Sequence, residues 1–231
     1  MIIFPKNWHA IGQPIPIGEI EDSIIDALME TGCKSIALSG GIDSGLLLYF
    51  MVHLYGDDIN AFTTGASSQH PDVKYAKLLT SKFGISRHYV FIPKSPLVDK
   101  LGDYPGDSIV RFLYESASTV TSEIIAGDGI DEFMCGYYAH QESPGEDTYY
   151  HLLKKLQKEQ LDPLDRNSGD MRVHLPYLSE KVVHLLSQVP IKEKVDLKSR
   201  KKLMLQMARD RLPNEIIIRR KYGFCDAMKI K

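Results

Sequence analysis

A glycine-rich stretch between two apolar segments restricts the fold of this chain more than any other feature. Residues 39–44 read S-G-G-I-D-S; they follow the apolar run 35–38 and precede the apolar run 46–52. This pattern is typical of a buried strand that enters a helix through a tight turn. Such a turn directs backbone N–H groups and the positive end of the helix toward one point, and glycine permits a close approach or a positive φ. The stretch therefore predicts a loop that binds pyrophosphate, with Asp43 as a candidate Mg²⁺ ligand.

Strands and helices alternate along most of the chain. Apolar periodicity predicts helices over residues 19–30, 72–83, 109–122 and 198–212, and a further helix that follows the loop and runs to about residue 55. It predicts strands over residues 35–38, 59–64, 88–92 and 123–126. The succession indicates an α/β fold with a parallel sheet, in which ligands bind at the carboxyl ends of the strands. Residues 141–170 are polar and break the pattern, which predicts a surface excursion and a candidate substrate lid within a single domain.

Composition narrows the class of protein without selecting a function. The 231 residues suffice for one medium domain, and 43% hydrophobic residues can fill its core. A net charge of −2 gives no global attraction to nucleic acid or to an anionic membrane, and no apolar stretch approaches the roughly 20 residues of a membrane span. The three cysteines are far apart and form no C-x-x-C, so we expect a reducing cytoplasm and neither a disulfide framework nor a zinc site.

A second informative motif, A-G-D-G-I-D-E, occupies residues 126–132 directly after a predicted strand. Its three carboxylates, Asp128, Asp131 and Glu132, repel one another, and a divalent cation shared with the phosphates of ATP would relieve that repulsion. The alternative is a solvated acidic turn whose charges favour the start of the next helix. The first glycine-rich loop favours the ligand-binding interpretation.

Together the two motifs resemble the synthetase domain of the asparagine synthetase family, within the PP-loop ATP pyrophosphatase superfamily. The family pattern is S-G-G-x-D-S followed by G-[ED]-G-x-D-E-x-x-x-G-Y, and residues 127–137 match its second part. Three further stretches agree in order: H-P-D-V-K-Y-A at 70–76, R-V-H-L-P-Y-L at 172–178, and the segment 201–224. The resemblance implies an adenine nucleotide alpha hydrolase-like fold, a three-layer α/β/α arrangement with a parallel sheet of about five strands.

The resemblance also implies a reaction and its cofactors. ATP with Mg²⁺ would adenylate a carboxylate, aspartate being the family default, with release of pyrophosphate, and ammonia or another amine would then displace AMP. Such chemistry belongs to amino-acid biosynthesis. The residues implied to contact the phosphates are Ser39, Gly40, Gly41 and Ser44. Those implied to contact adenosine through backbone groups are Ala37, Leu38, Thr64, Ala126 and Gly127. The resemblance further assigns Mg²⁺ to Asp43 and Asp131, and a catalytic role to Lys221.

Two departures from the family pattern bear on the substrate and the nitrogen source. Asp128 stands where the family usually has glutamate, a residue associated with substrate handling or proton removal. Its carboxylate is shorter by about one C–C bond, roughly 1.5 Å, which is enough to alter the accepted substrate. No cysteine precedes Cys33, and residues 1–38 are too few for a glutaminase domain. We therefore expect ammonia from solution, a separate glutaminase subunit, or another amine.

Other functions stay open at this point. A PP-loop enzyme that modifies tRNA or a nucleobase is favoured by the basic run 198–211 and disfavoured by the near-neutral charge and the lack of C-x-x-C. A catalytically silent nucleotide-binding protein is disfavoured by the intact Asp43, Asp131 and Lys221. For residues 219–221 the alternative is a solvated basic end. The expected partners are a small carboxylate and an amine donor, with no membrane, and nucleic acid is disfavoured.

Overall fold

Five parallel strands form the centre of the molecule. The computed structural model describes residues 15–219, and its sheet has the order β3-β2-β1-β4-β5 with every neighbouring pair parallel. The strands are β1 Ser35–Ala37, β2 Asn60–Thr64, β3 Arg87–Phe91, β4 Glu123–Ile125 and β5 Arg172–His174. The predicted parallel sheet of about five strands is confirmed. The short edge strand β5 was not predicted as a strand, because three residues are too few to show an alternating pattern.

Helices cover both faces of this sheet. Successive strand residues point to opposite sides, so Ala61 and Ile125 join one buried cluster while Phe62 and Ile124 join the other. The larger cluster contains residues from the helices Ile17–Thr31, Ile42–Tyr55, Pro71–Lys82, Glu180–Gln188 and Lys202–Ala208, and the smaller one contains residues from the helices Asp107–Ala117 and Asp162–Ser168. The predicted three-layer α/β/α class is therefore confirmed.

The helices of the described residues are mostly short after β4. Their bounds are α1 Ile17–Thr31, α2 Ile42–Tyr55, α3 Pro71–Lys82, α4 Asp107–Ala117, α5 Ile130–Phe133, α6 Tyr138–Glu142, α7 Glu146–Leu153, α8 Asp162–Ser168, α9 Glu180–Gln188, α10 Ile191–Lys194, α11 Lys202–Ala208 and α12 Asn214–Ile218. A π-helix spans Leu156–Leu161, and a 3₁₀ turn spans Pro176–Leu178. Within residues 15–219 none of the helices combines the length and the apolar character that crossing a membrane requires.

The basic helix predicted over residues 198–212 is shorter than expected. It begins only at Lys202, because Lys201 has a left-handed backbone conformation with φ +51°. Before it, the Asp196 carboxylate accepts the backbone N–H groups of Lys198 and Ser199, both at 2.8 Å, and holds the chain in a turn. The basic residues before Lys202 therefore do not lie on one helical face.

Residues 141–170 are largely helical and contribute to the core. Tyr149, Leu153 and Leu156 are each at most 1% exposed, and α8 packs against α4. The segment is therefore more than a surface excursion, since part of it is needed to bury the core. Its role as a substrate lid stays a prediction.

Candidate active site

The loop of residues 39–44 joins β1 to α2 as the sequence predicts. Gly41 precedes the first residue of α2 and no side chain caps that end of the helix. The two serines close the loop: their hydroxyl oxygens lie 3.1 Å apart, the Ser44 hydroxyl accepts the N–H of Ser39, and the Ser39 hydroxyl accepts the N–H of Gly41. Backbone donors thus converge at the carboxyl end of β1, where an oxyanion would replace the hydroxyl oxygens as acceptor.

The two glycines of the loop serve different purposes. Gly40 has φ +69°, and a Cβ atom there would lie 2.5 Å from the Ala76 nitrogen and 2.7 Å from the Tyr75 carbonyl carbon. Glycine at this position is therefore required by the close approach of α3. Gly41 has φ −85°, and a Cβ atom there would meet only the Ser39 hydroxyl, at 3.4 Å. Gly41, unlike Gly40, lines the cavity described below.

The difference between these glycines is testable. We expect Gly40→Ala to lower the free energy of unfolding by about 2 to 3 kcal/mol, because it combines left-handed strain with overpacking. Gly41→Ala should leave stability nearly unchanged and weaken ATP binding, because its methyl group occupies the approach to the N–H groups of the loop. Urea unfolding and calorimetric ATP titration measure the two effects. Equal stability losses in the two variants would contradict this assignment.

A cavity of about 750 Å³ lies at the carboxyl ends of the strands and brings together nearly all the predicted site residues. Those that line it are Ala37, Leu38, Ser39, Gly41, Asp43, Ser44, Thr64, Ala126, Gly127, Asp128 and Asp131. Gly40 packs against α3 behind the cavity wall. Lys221, the predicted catalytic lysine, lies outside the described residues.

The metal ligands expected from the sequence, Asp43 and Asp131, meet at one ammonium group. Lys201 Nζ lies 2.5 Å from Asp43 Oδ2 and 2.6 Å from Asp131 Oδ1. The Lys201 residue is only 7% exposed. Burial alone would lower the pKa of Lys201, but the Asp131 and Asp43 carboxylates outweigh it and raise that pKa above the ordinary lysine value. Two carboxylates, from the first turns of α2 and α5, thus share one cation.

Lys201 was missed as a site residue because its surroundings in the sequence, K-S-R-K-K, are typical of a solvated basic surface. Its left-handed backbone and the space left by Gly136 bring it to the carboxylates. A Cβ atom on Gly136 would lie 1.7 Å from Asp131 Oδ1 and 2.3 Å from Lys201 Cε. A sequence signal existed only in the resemblance, whose tail segment starts at residue 201.

Arg219 is a second site residue that the sequence analysis left undecided. Its side chain is 7% exposed, pairs with Asp72 at 2.5 Å and donates to the Ser39 carbonyl at 3.2 Å. Its guanidinium carbon lies 4.6 Å from the centre of the Tyr75 ring. The solvated-end alternative is therefore wrong for Arg219, which ties α3 to the phosphate loop. Residues 220 and 221 lie outside the described part of the chain.

The acidic motif after β4 directs its three carboxylates to different places. Asp131 contacts Lys201, whereas Glu132 is 2% exposed and accepts the Tyr137 hydroxyl at 2.6 Å. Asp128 and Tyr114 both line the cavity, and burial, followed by the charge of Asp128, raises the pKa of Tyr114 well above its ordinary value. The motif is thus no solvated turn, and only one of its three carboxylates joins Asp43.

Some of the backbone groups predicted to contact adenosine already form hydrogen bonds with neighbouring strands or loops. The Leu38 N–H donates to the Phe62 carbonyl at 2.8 Å, and the Leu38 carbonyl accepts the Thr63 hydroxyl at 2.7 Å. The Ala126 N–H donates to the His174 carbonyl at 2.9 Å. At these positions, contact with a nucleotide would rely on carbonyl lone pairs or on packing.

The cavity extends beyond the phosphate loop to a wall formed by α4 and α8. Val110, Leu113 and Leu164 give this wall apolar surface, and Asn167 adds an amide that is 3% exposed. Asn167 Oδ1 accepts Arg111 Nη1 at 2.6 Å, whereas Asn167 Nδ2 is buried without a hydrogen-bond partner among residues 15–219. This end has room for a second substrate and one donor to orient it.

Comparison with known proteins shows which family the chain resembles. The asparagine synthase family model matches residues 18–173 and 165–231. Glutamine-hydrolyzing asparagine synthetases from Asparagus officinalis and Sandersonia aurantiaca are 24% and 25% identical to the chain and each covers 90% of it. The chain spans 41% and 46% of those two proteins, less than half of their length.

One solved structure that matches part of the chain is the NH3-dependent NAD synthetase from Campylobacter jejuni in complex with the nitrate ion. It covers 78% of this chain and 95% of its own length, with 16% identity and a TM-score of 0.40. The family match over nearly the whole chain is the informative comparison. By that match the chain belongs to the asparagine synthase family.

Proposed function

We propose that this protein is an ATP-dependent, AMP-forming amide ligase that adenylates a carboxylate and transfers the acyl group to ammonia or another amine. The observation that carries the proposal is the convergence of Asp43 and Asp131 on one ammonium group beside the phosphate loop. Two carboxylates and a lysine at the carboxyl ends of β1 and β4 suit the departure of a highly charged pyrophosphate. Membership of the family supports the same chemistry.

The carboxylates also suit Mg²⁺, the cation proposed to accompany ATP. Asp43 Oδ1 is buried and has no hydrogen-bond partner among the described residues, so a hard oxygen donor is available beside the loop. We assign Mg²⁺ to Asp43 and Asp131. When bound, the ion would neutralise charge on the β- and γ-phosphates.

The residues of the chain then have separate roles in adenylation. The N–H groups at the start of α2 hold the phosphates, and Lys201 supplies positive charge where the pyrophosphate leaves. An oxygen of the substrate carboxylate attacks the α-phosphorus, the bond from that phosphorus to the bridging oxygen breaks, and the electron pair leaves with pyrophosphate. Arg219 acts indirectly, because it holds the loop through the Ser39 carbonyl.

Amide formation would follow in the same cavity. The amine attacks the acyl carbon, loses a proton, and AMP departs with the electron pair of the acyl–oxygen bond. Asp128, which lines the cavity, is the proposed proton acceptor or substrate contact, and Lys221 is the lysine proposed to stabilise charge on the α-phosphate. Aspartate is the proposed default carboxylate, and the amine would come from solution, from a separate glutaminase subunit, or from a larger nucleophile.

The test is product analysis with ATP, Mg²⁺ and panels of carboxylates and amines that include aspartate, ammonia and glutamine. We expect ATP and the carboxylate alone to support pyrophosphate release, and AMP and an amide to form only when the amine is also present. Formation of ADP and phosphate would contradict the mechanism. ATP binding without pyrophosphate release under every condition would indicate a silent nucleotide-binding protein, and release that needs tRNA would indicate an RNA-modifying enzyme.

A further inference from the structure

A second cluster of metal-ligating side chains lies outside the nucleotide cavity. Cys33 Sγ, one carboxylate oxygen of Glu123 and one imidazole nitrogen of His174 all lie within 4.8 Å of one another. His174 Nε2 and Glu123 Oε2 are 3.1 Å apart. Cys33 follows α1, whereas the other two residues belong to β4 and β5, so three separate elements meet at this point.

The geometry points to a binding site for a divalent transition cation of the Zn²⁺ class, held by Cys33, Glu123 and His174. Zn²⁺ binds thiolate sulfur at about 2.3 Å, and imidazole nitrogen and carboxylate oxygen at about 2.0 to 2.2 Å. In a tetrahedral site these bond lengths place the donor atoms roughly 3.5 Å apart. The His174–Glu123 separation is already close to that value, and the Cys33 sulfur lies within 4.8 Å of both other donor atoms.

The chemistry of the donors selects the class of cation. Thiolate and imidazole are ligands for Zn²⁺ and its neighbours, whereas Mg²⁺ and Ca²⁺ require oxygen. The thiolate of Cys33 and the carboxylate of Glu123 carry two negative charges, which balance a divalent ion and reduce the cost of burying it. The Cys33 thiol donates weakly to the Ser35 carbonyl at 3.5 Å, and metal binding would displace that proton.

An adjoining cavity gives the ion access and room for a further ligand. It has a volume of about 340 Å³ and is lined in part by Glu123, His174, Glu30 and Ser179, together with the exposed Arg172. The hydroxyl oxygen of Ser179 is buried and has no hydrogen-bond partner among the described residues. This unsatisfied group is an independent sign that a water molecule or ligand belongs there. Three protein ligands and one water would complete a four-coordinate site.

Occupation of the site would fasten the edge of the sheet. The strand β5 pairs with β4 over only three residue positions. The ion would link His174 on β5 to Glu123 on β4 and to Cys33, which precedes β1. Three residues after His174, the Tyr177 hydroxyl donates to the Asp43 carbonyl at 2.9 Å. The proposed cation would therefore stabilise the segment that supports Asp43. The cysteine spacing predicted no zinc site, because sequence motifs for zinc detect only ligands that are close along the chain.

Titration of the metal-free, reduced protein with Co²⁺ and then Zn²⁺ tests the site. We expect one equivalent of Co²⁺ to give a thiolate-to-cobalt charge-transfer band, which Zn²⁺ abolishes, and Zn²⁺ to raise the Tm. Cys33→Ser should remove the band and weaken Zn²⁺ binding by more than the roughly 10- to 100-fold that loss of an outer ligand contact costs. Cys225→Ser, whose cysteine lies outside the described residues, and Cys135→Ser should retain the band.

A second variant, which keeps the Cys33 thiol, distinguishes the loss of a metal ligand from misfolding of Cys33→Ser. His174→Gln should preserve the fold, since its side chain is 19% exposed, and should weaken Zn²⁺ binding without affecting ATP binding. Asp43→Asn removes the proposed Mg²⁺ ligand and should leave the cobalt band unchanged. Absence of the band in the wild-type protein, its persistence in Cys33→Ser, or unchanged Zn²⁺ binding in His174→Gln would overturn the assignment.

Discussion

Replacing Lys201 by methionine is expected to lower the free energy of unfolding by about 3 kcal/mol in the absence of Mg²⁺. The variant leaves the side chains of Asp43 and Asp131, only 23% and 20% exposed, without the ammonium that both contact. Two nearby, partly buried carboxylates then repel each other with no counter-charge. Urea unfolding measures the loss.

Adding Mg²⁺ tests whether the ion and Lys201 bind the same two carboxylates. If the ion binds the same two carboxylates, it should stabilise Lys201→Met more than the wild-type protein, because in the wild type it competes with the lysine. The matched control is Lys202→Met, whose side chain is 35% exposed and pairs with Asp196 at the surface. That variant should be nearly as stable as the wild type and respond normally to Mg²⁺. Equal stability of the two variants would show that Lys201 is not the counter-charge of the site.

Asp43→Asn is expected to reduce pyrophosphate release by at least about 100-fold while the fold is kept. Asparagine has the same shape and still accepts a hydrogen bond from Lys201, so the loop should retain its conformation. It lacks the charge that would hold Mg²⁺ beside the leaving pyrophosphate, and loss of one preorganised electrostatic group typically costs 10²- to 10³-fold in rate. Single-turnover release of pyrophosphate at saturating ATP and varied Mg²⁺ measures the effect.

Asp26→Asn is the matched control for this substitution. Asp26 lies on α1, is 52% exposed and pairs with Lys181, so its replacement should leave the rate unchanged. We also expect Lys221→Ala to abolish turnover while the fold stays intact. A wild-type rate for Asp43→Asn would remove Asp43 from the chemistry, whereas a wild-type rate for Lys221→Ala would remove only that lysine.

The parts of the fold that can be predicted from the sequence are those determined by residues close to one another in the chain. A buried strand, a glycine turn and an apolar helix are adjacent in the chain, so β1, the loop and α2 could be predicted from about 20 residues. The alternation of elements likewise predicts a parallel sheet, and the carboxyl ends of parallel strands share one edge. That rule places Asp43 and Asp131 together. The strand β5 and the true start of α11 could not be predicted, because pairing with β4 and a left-handed Lys201 determine them.

The α/β class, the phosphate loop, the family resemblance and the two carboxylates at the edge of the sheet can all be predicted from the sequence. The cation between those carboxylates depends on tertiary packing, because Lys201 reaches Asp43 across 158 positions of chain. Packing also explains why Gly136 is needed for space and why the Arg219 side chain is buried. The cluster of Cys33, Glu123 and His174 likewise forms only when separate elements pack together. Such contacts depend on how whole elements pack, and a short stretch of sequence does not determine that packing.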